Sequence, residues 1–238
     1  MDNYQNKIKI FYDGINIEKF SKEKYIKGFT TNPSILNNLL PSEIPKKYSE
    51  LTSDFLKYTK DLPISLEVLA DDIDEMINQG ILINKWSPNI YVKIPIINSK
   101  GLSTELAIKT LNSMNIKLNI TAIFTEEQAN IAFNSLENKN INSIISIFSG
   151  RIADTGIDPT PLCKYIVNLC KNTNIEVLWA STREVYNIFQ AIDCRCNIIT
   201  IPDNVLKSIK YIGKDLTEYS KETVEIFYED GKKSNIIF

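Results

Sequence analysis

The sequence predicts an α/β fold, a (β/α)8 TIM barrel with an additional C-terminal helix, on three observations. Short β-branched runs alternate with longer stretches of polar–apolar periodicity, as repeated strand–helix units require. Eight such runs occur, the number at which a closed parallel barrel loses its edges and side chains just fill the interior. The 238 residues approach the roughly 250 of one such barrel, and no linker-like or low-complexity stretch divides them, so a single domain over 1–238 is expected. An open doubly wound sheet is the architectural alternative.

The elements follow in order. IKIFYD (8–13) and GFTTN (28–32) are the first two expected strands. SEIPKKYSELTSDFLKYTK (42–60) is long and periodic enough for a helix and leads into the third strand, ISLEVL (64–69). DIDEMINQGILINKW (72–86) is the next helical stretch, followed by strand IYVKIP (90–95), helix STELAIKTLNSM (103–114) and strand KLNITAIF (117–124). INSIISIF (141–148), EVLWAS (176–181) and NIITIP (197–202) complete the strands, with PTPLCKYIVNLCKN (159–172) helical between the first two. DNVLKSIKYIGKDLTEYSKETVEIFYEDGKK (203–233) reads as an eighth helix followed by one more, which either folds over the barrel mouth or reaches a neighbour.

Composition narrows the function. Hydrophobic residues make up 43% and charged residues 24%, with a net charge of −2, so nothing draws the chain to nucleic acid. The start, MDNYQNKIKIFYDG, has neither the apolar run of a signal peptide nor an Arg-rich transit pattern, and no later stretch approaches the roughly 18 apolar residues of a membrane span. A cytoplasmic protein is expected. Cys163 and Cys170 on one helix and Cys194-x-Cys196 before a strand do not have the spacing of a zinc site or disulfide framework, so reduced, inert thiols are expected. With no histidine, proton transfer falls to carboxylates, Lys, Tyr, Cys or water. The eight glycines form neither a dinucleotide fingerprint nor a P-loop.

In a barrel, chemistry lies at the carboxyl ends of the strands. There the chain carries Asp13, Thr30, Asn32, Glu67, Lys93, Asn119, Thr121, Ser146, Arg151, Ser181 and Arg183. Taken singly, each has a plain structural alternative: Asp13 as a turn residue or N-cap, Asn32 as the cap before Pro33, and Glu67 with Lys93 as an ion pair. Lys93, between Val92 and Ile94, is expected to have hydrocarbon neighbours that depress its pKa and supply the neutral amine a Schiff base needs.

FYDGIN, GFTTNPSIL, ISLEVL, IYVKIPI, NITAIFTEEQANIA, SIISIFSGRIADTG, VLWASTREV and NIITIPDNVL together resemble, in order and spacing, the transaldolase family, particularly its short forms, over nearly the whole chain. The resemblance implies that Lys93 is the Schiff-base nucleophile on the fourth strand and that Asp13 is the acid/base for the C4 hydroxyl. It implies that Glu67 and Thr121 activate the water of imine formation and hydrolysis. Thr30, Asn32, Asn119, Ser146 and Phe148 then match substrate-side positions, and Arg151, Ser181 and Arg183 the phosphate grip. The implied activity transfers a dihydroxyacetone unit between sugar phosphates of the pentose phosphate pathway, with no metal or organic cofactor.

Two readings stand beside it. A fructose-6-phosphate aldolase, which releases free dihydroxyacetone, typically has Gln where this chain has Glu67 and Tyr where it has Phe148; both positions favour transfer. A catalytically silent sugar-phosphate-binding barrel would not need the lysine, both carboxylates and both arginines together. SIFSGR, Gly14 where Thr is common, and Trp179 depart from the usual family pattern and bear on the preferred sugar. Whether the chain forms a homo-oligomer is left open.

Overall fold

A computed structural model of the protein describes residues 4–37 and 47–234. In chain order the elements are β1 (Lys9–Asp13), α1 (Ile17–Phe20), β2 (Ile26–Thr30), α2 (Pro33–Asn37), α3 (Tyr48–Thr59), β3 (Ile64–Glu67) and α4 (Ile73–Asn84). There follow β4 (Ile90–Pro95), α5 (Glu105–Ser113), β5 (Leu118–Ile123), α6 (Glu126–Ser135), β6 (Ser143–Ile147), α7 (Ser149–Asp154) and α8 (Thr160–Leu169). The chain ends with β7 (Ile175–Trp179), α9 (Tyr186–Asp193), β8 (Ile198–Pro202), α10 (Asp203–Leu206) and α11 (Leu216–Lys233). The eight strands form a closed parallel barrel in sequence order. Pairing of β1 with β8, from Lys9 opposite Ile198 to Asp13 opposite Pro202, closes it and removes the open sheet as an alternative.

The expected strands are all present, and β4 has the expected bounds. Others shift where a different hydrogen-bond partner takes over. β2 starts earlier, at Ile26, and stops at Thr30, because Asn32 leaves the strand and its side-chain oxygen accepts from the Ile35 N–H at 2.9 Å, capping α2. β3 stops at Glu67, since the N–H groups of Leu69 and Ala70 donate to the Gln79 side chain at 2.7 and 3.0 Å rather than to a strand. β7 stops at Trp179, and Ser181 turns away with φ 62°. Residues 42–46 of the helical stretch expected over 42–60, and the first three residues, lie outside the described residues.

Alternation along the strands separates two packing zones. Ile10, Tyr12, Phe29, Leu66, Val92, Ile94, Ile120, Ile145, Val177, Trp179 and Ile199 belong to the main core shared with the helices. The intervening residues Phe11, Tyr91, Ile144, Leu178 and Ile198 form a second buried cluster inside the barrel. With a side-chain period of two, each strand that presents a hydrocarbon to the helices presents its next residue to the interior. Helix ends are set by local chemistry: Asp72 caps α4, Thr125 and Gln128 form a reciprocal capping box on α6, and Asp215 caps α11.

The expected eighth helix shrinks to the single turn of α10 and a 3-10 turn at Ile209–Tyr211 before Gly213, at φ 77°, reverses the chain. α11 has no buried residue; Leu216 is 80% and Phe227 68% exposed, and none of its residues lines the barrel mouth. All four cysteines are free and buried, and burial pushes the Cys170 thiol up to about 12. Among the described residues no helix is long and apolar enough to cross a membrane.

Candidate active site

Strand register assembles the polar centre. Asp13 lies opposite Thr30, Glu67 opposite Lys93, and Lys93 opposite Asn119, so residues far apart in sequence become neighbours. The Thr30 hydroxyl donates to Asp13 Oδ1 at 2.7 Å and lies 2.5 Å from Thr200 Oγ1. With its proton committed to the carboxylate, Thr30 must accept from Thr200, making a relay Thr200, Thr30, Asp13. Lys93 Nζ is 3.0 Å from Glu67 Oε2 and donates to the Thr31 carbonyl at 3.0 Å. The side chains of Lys93 and Glu67 are only 7% and 15% exposed.

These contacts correct one expectation. Val92 and Ile94 flank Lys93 in sequence, but the period of two turns them into the outer core, so the amine meets a carboxylate and a carbonyl instead of hydrocarbon. A second carboxylate, Asp13, lies beside this pair. Burial lifts its carboxyl above the usual carboxylate range, against the opposing pull of the Lys93 charge and the Thr30 hydrogen bond, while the Glu67 charge adds to the rise. Asp13 therefore bonds to Thr30 rather than capping a helix, whereas Asn32 does cap one while also facing the cavity.

Deeper in the barrel, Ser146 donates to Asn119 Oδ1 at 2.7 Å and Asn119 Nδ2 donates to Ser65 at 2.9 Å. Both residues are buried, so much of their hydrogen-bonding capacity holds the interior together. The Thr121 hydroxyl is buried without a hydrogen-bond partner among the described residues. Next to it Ala122 adopts φ 58° where the pairing of β5 with β6 slips, a bulge that re-aims the strand end at the mouth.

At the rim, the Arg151 guanidinium stacks over the Phe148 ring, 5.4 Å from its centroid. Arg183 is gripped by Asp154: Nε lies 3.3 and 3.1 Å from the two carboxylate oxygens and Nη2 2.6 Å from Oδ2. Gly150 permits this arrangement, because a Cβ there would come within 1.6 Å of the Ser181 carbonyl oxygen. At Gly14 a Cβ would meet the Tyr12 hydroxyl at 2.3 Å, and Tyr12 is fixed in the core, so Gly14 and Tyr12 are a matched pair. Trp179 is buried in the outer core and does not line the cavity.

All twelve residues singled out in the sequence line one cavity of about 620 Å³ at the carboxyl ends of the strands. Thr182, Thr200 and Asn204 also line it and were missed. Thr200, a lone hydroxyl in NIITIP, was the signal available on the eighth strand. A larger depression of about 840 Å³ opens at the strands' amino ends around Lys7, Lys9, Lys27 and Arg195. The buried ion pair and perturbed carboxyl are absent from it, so the smaller cavity is the candidate site. An amine with a carboxylate as proton partner, a second carboxylate of raised pKa, and a cationic rim can together support imine chemistry on an anionic carbonyl compound.

Comparison with known proteins gives the family. Residues 10–236 match the family model described as transaldolase/fructose-6-phosphate aldolase. The chain belongs to that family. It is 31% identical over 236 residues to a "Probable transaldolase" of Herpetosiphon aurantiacus, covering 97% of this chain and 99% of the relative. It is 32% identical over 232 residues to a "Probable transaldolase" of Clostridium acetobutylicum, covering 95% and 99%. Among solved structures, N-acetylneuraminate lyase from Mycoplasma synoviae superposes with TM-score 0.59 at 12% identity, covering 94% of this chain and 81% of that one. Deoxyribose phosphate aldolase from Aeropyrum pernix gives TM-score 0.55 at 8% identity, covering 88% and 92%. At those identities the two structures share the fold alone with this member of the transaldolase family.

Proposed function

We propose that this member of the family is a transaldolase, with the whole domain 1–238 serving one site and Lys93 as its nucleophile. The observation that carries the reading is the buried Lys93–Glu67 pair, at 3.0 Å, in one cavity with Asp13. The Lys93 ammonium gives a proton to Glu67, and the free amine attacks the C2 carbonyl of a ketose phosphate. Loss of water from the carbinolamine, aided by Glu67 and the partnerless Thr121 hydroxyl, forms the protonated imine. Asp13 then takes the proton of the C4 hydroxyl. The C3–C4 bond breaks, its electron pair flows into the imine, and an aldose phosphate leaves. The enamine adds to an acceptor aldehyde phosphate and the steps reverse, with no metal or organic cofactor.

Thr30, Asn32, Asn119, Ser146 and Phe148 shape the sugar side of the cavity, while Arg151, Ser181 and Arg183 hold the phosphate at the rim. Fructose 6-phosphate or sedoheptulose 7-phosphate would be the donor, with erythrose 4-phosphate or glyceraldehyde 3-phosphate as acceptor, in the cytoplasmic pentose phosphate pathway. Glu67 and Phe148 favour transfer over release.

The test is glyceraldehyde 3-phosphate release from fructose 6-phosphate, with and without erythrose 4-phosphate, by the wild type and Lys93→Ala. Release that needs both acceptor and Lys93 supports the transferase. Release without acceptor, with stoichiometric dihydroxyacetone, moves the chain to the aldolase reading. Absence of a borohydride-reducible adduct on Lys93 with several sugar phosphates removes both and leaves the silent barrel.

A further inference from the structure

Asp154 has no role in the chemistry just described, yet its carboxylate holds Arg183, which lines the cavity rim. Its carboxylate engages Arg183 through Nε at 3.1 and 3.3 Å and through Nη2 at 2.6 Å, along the side of the guanidinium. The guanidinium is planar and carries donors on more than one edge, so occupying the side edge leaves the terminal edge, formed by the two Nη atoms, open. Both partners are about half exposed, at 48% and 51%, a setting in which an ion pair contributes little to folding. What such a pair does supply is orientation of a long side chain that otherwise samples many rotamers.

The two partners sit on segments locked together by backbone. Asp154 ends α7, the helix that also carries Arg151 one turn earlier, and Arg183 follows β7. The Gly150 N–H donates to the Ala180 carbonyl at 3.3 Å, and no Cβ fits between Gly150 and the Ser181 carbonyl. Asp154 is thereby held at a set distance from Arg183, while Phe148 stacks on Arg151. Each rim arginine thus has its own support, one a carboxylate and the other an aromatic face.

We propose that Asp154 is a positioning residue for the anion-binding rim: it clamps the side edge of Arg183 so that the terminal edge is aimed at the phosphate of the substrate. This rests on the proposed phosphate role of Arg183. The opposing physical expectation is equally definite. If the carboxylate merely competes with phosphate for the guanidinium, removing it tightens binding.

The experiment compares Asp154→Asn, Asp154→Ala, Arg183→Ala and the Asp154→Ala/Arg183→Ala double variant in the full chain. It reads KM and kcat for fructose 6-phosphate, competitive inhibition by inorganic phosphate, and the thermal midpoint. Losing the clamp is expected to raise KM and the phosphate inhibition constant about three- to tenfold, the scale of immobilising one rotamer-rich side chain, with kcat changed far less. In the Arg183→Ala background the Asp154 substitution is expected to add nothing, because it acts through that arginine. A lower KM in the Asp154 variants, or a further loss in the double variant, overturns the proposal. Unchanged constants in the Asp154 variants overturn it alone when Arg183→Ala is impaired. An unimpaired Arg183→Ala removes the phosphate reading together with the clamp.

Discussion

Thr30→Val isolates the group expected to set the acid limb of the pH profile. In the wild type, burial raises the Asp13 pKa, and the Thr30 hydroxyl, 2.7 Å from Oδ1, is one of two influences pulling it down. Valine keeps the shape and deletes the donor. A hydrogen bond to an ionised group contributes about 1.5–3 kcal/mol, and one pKa unit corresponds to about 1.4 kcal/mol. The acid limb of kcat/KM is therefore expected to move upward by about one to two pH units. The sign follows from Asp13 acting as a base: losing a bond that favours the carboxylate favours the acid, so activity fades at a higher pH. Well above both limbs, kcat/KM should recover much of its wild-type value. The substitution also strands the Thr200 hydroxyl, which lies 2.5 Å from Thr30 Oγ1, at a stability cost on the order of 1–3 kcal/mol. Thr30→Ser, which keeps the hydroxyl, is the control and should leave the limb in place. An unmoved or lowered limb in Thr30→Val, measured with fructose 6-phosphate and erythrose 4-phosphate across pH 4–9, would refute the assignment of that limb to Asp13.

The same carboxylate predicts a trade of stability against activity. Because its folded pKa is raised, Asp13 destabilises the fold at neutral pH, and Asp13→Asn should raise Tm by on the order of 2–4 °C while abolishing turnover. That gain should fade as pH falls through the raised value and vanish near the unfolded value of 3.8; a pH-independent gain in calorimetry would contradict the linkage. Thr121→Val replaces a buried, partnerless hydroxyl by an isostere and should leave stability within about 1 kcal/mol or improve it while lowering turnover at least about tenfold; marked destabilisation would reveal a structural partner instead. Gly150→Ala drives a Cβ into the Ser181 carbonyl and should cost about 1–3 kcal/mol in denaturant unfolding and weaken inhibition by phosphate; a neutral outcome would mean that α7 is free to shift.

Much of the fold was legible because it depends on period and count. β4 coincides with its expected bounds, since IYVKIP is a β-branched and aromatic run, broken only by Lys93 and ended by proline, on a strand buried on both faces. Strand ends at β2, β3 and β7 were less legible, because the side chains of Asn32 and Gln79 and the left-handed turn at Ser181 redirect the backbone, and such contacts depend on where a distant segment lies. The eighth helix misled for a related reason. The periodicity at the start of 203–233 fits a helix, but the chain breaks after Leu206 into a 3-10 turn and Gly213.

Eleven of the twelve site positions could be picked out because polar residues at the ends of apolar strands are conspicuous; Phe148 came from the family motifs, which span all twelve. Their environments were not legible. By itself the sequence determined the strand count, the repeated strand–helix order of a parallel sheet and the strand ends that carry the polar residues, since all three follow from the order and spacing of residues along one chain; closure waited for the pairing of β1 with β8. Only the tertiary structure decided that Lys93 meets Glu67 rather than its hydrocarbon neighbours, that Thr200 stands behind Thr30 and Asp13, and that Asp154 holds Arg183. Those facts depend on inter-strand register and loop packing. Register is a property of pairs of segments 17 to 170 residues apart, and no local pattern encodes which face of one strand meets which residue of the next.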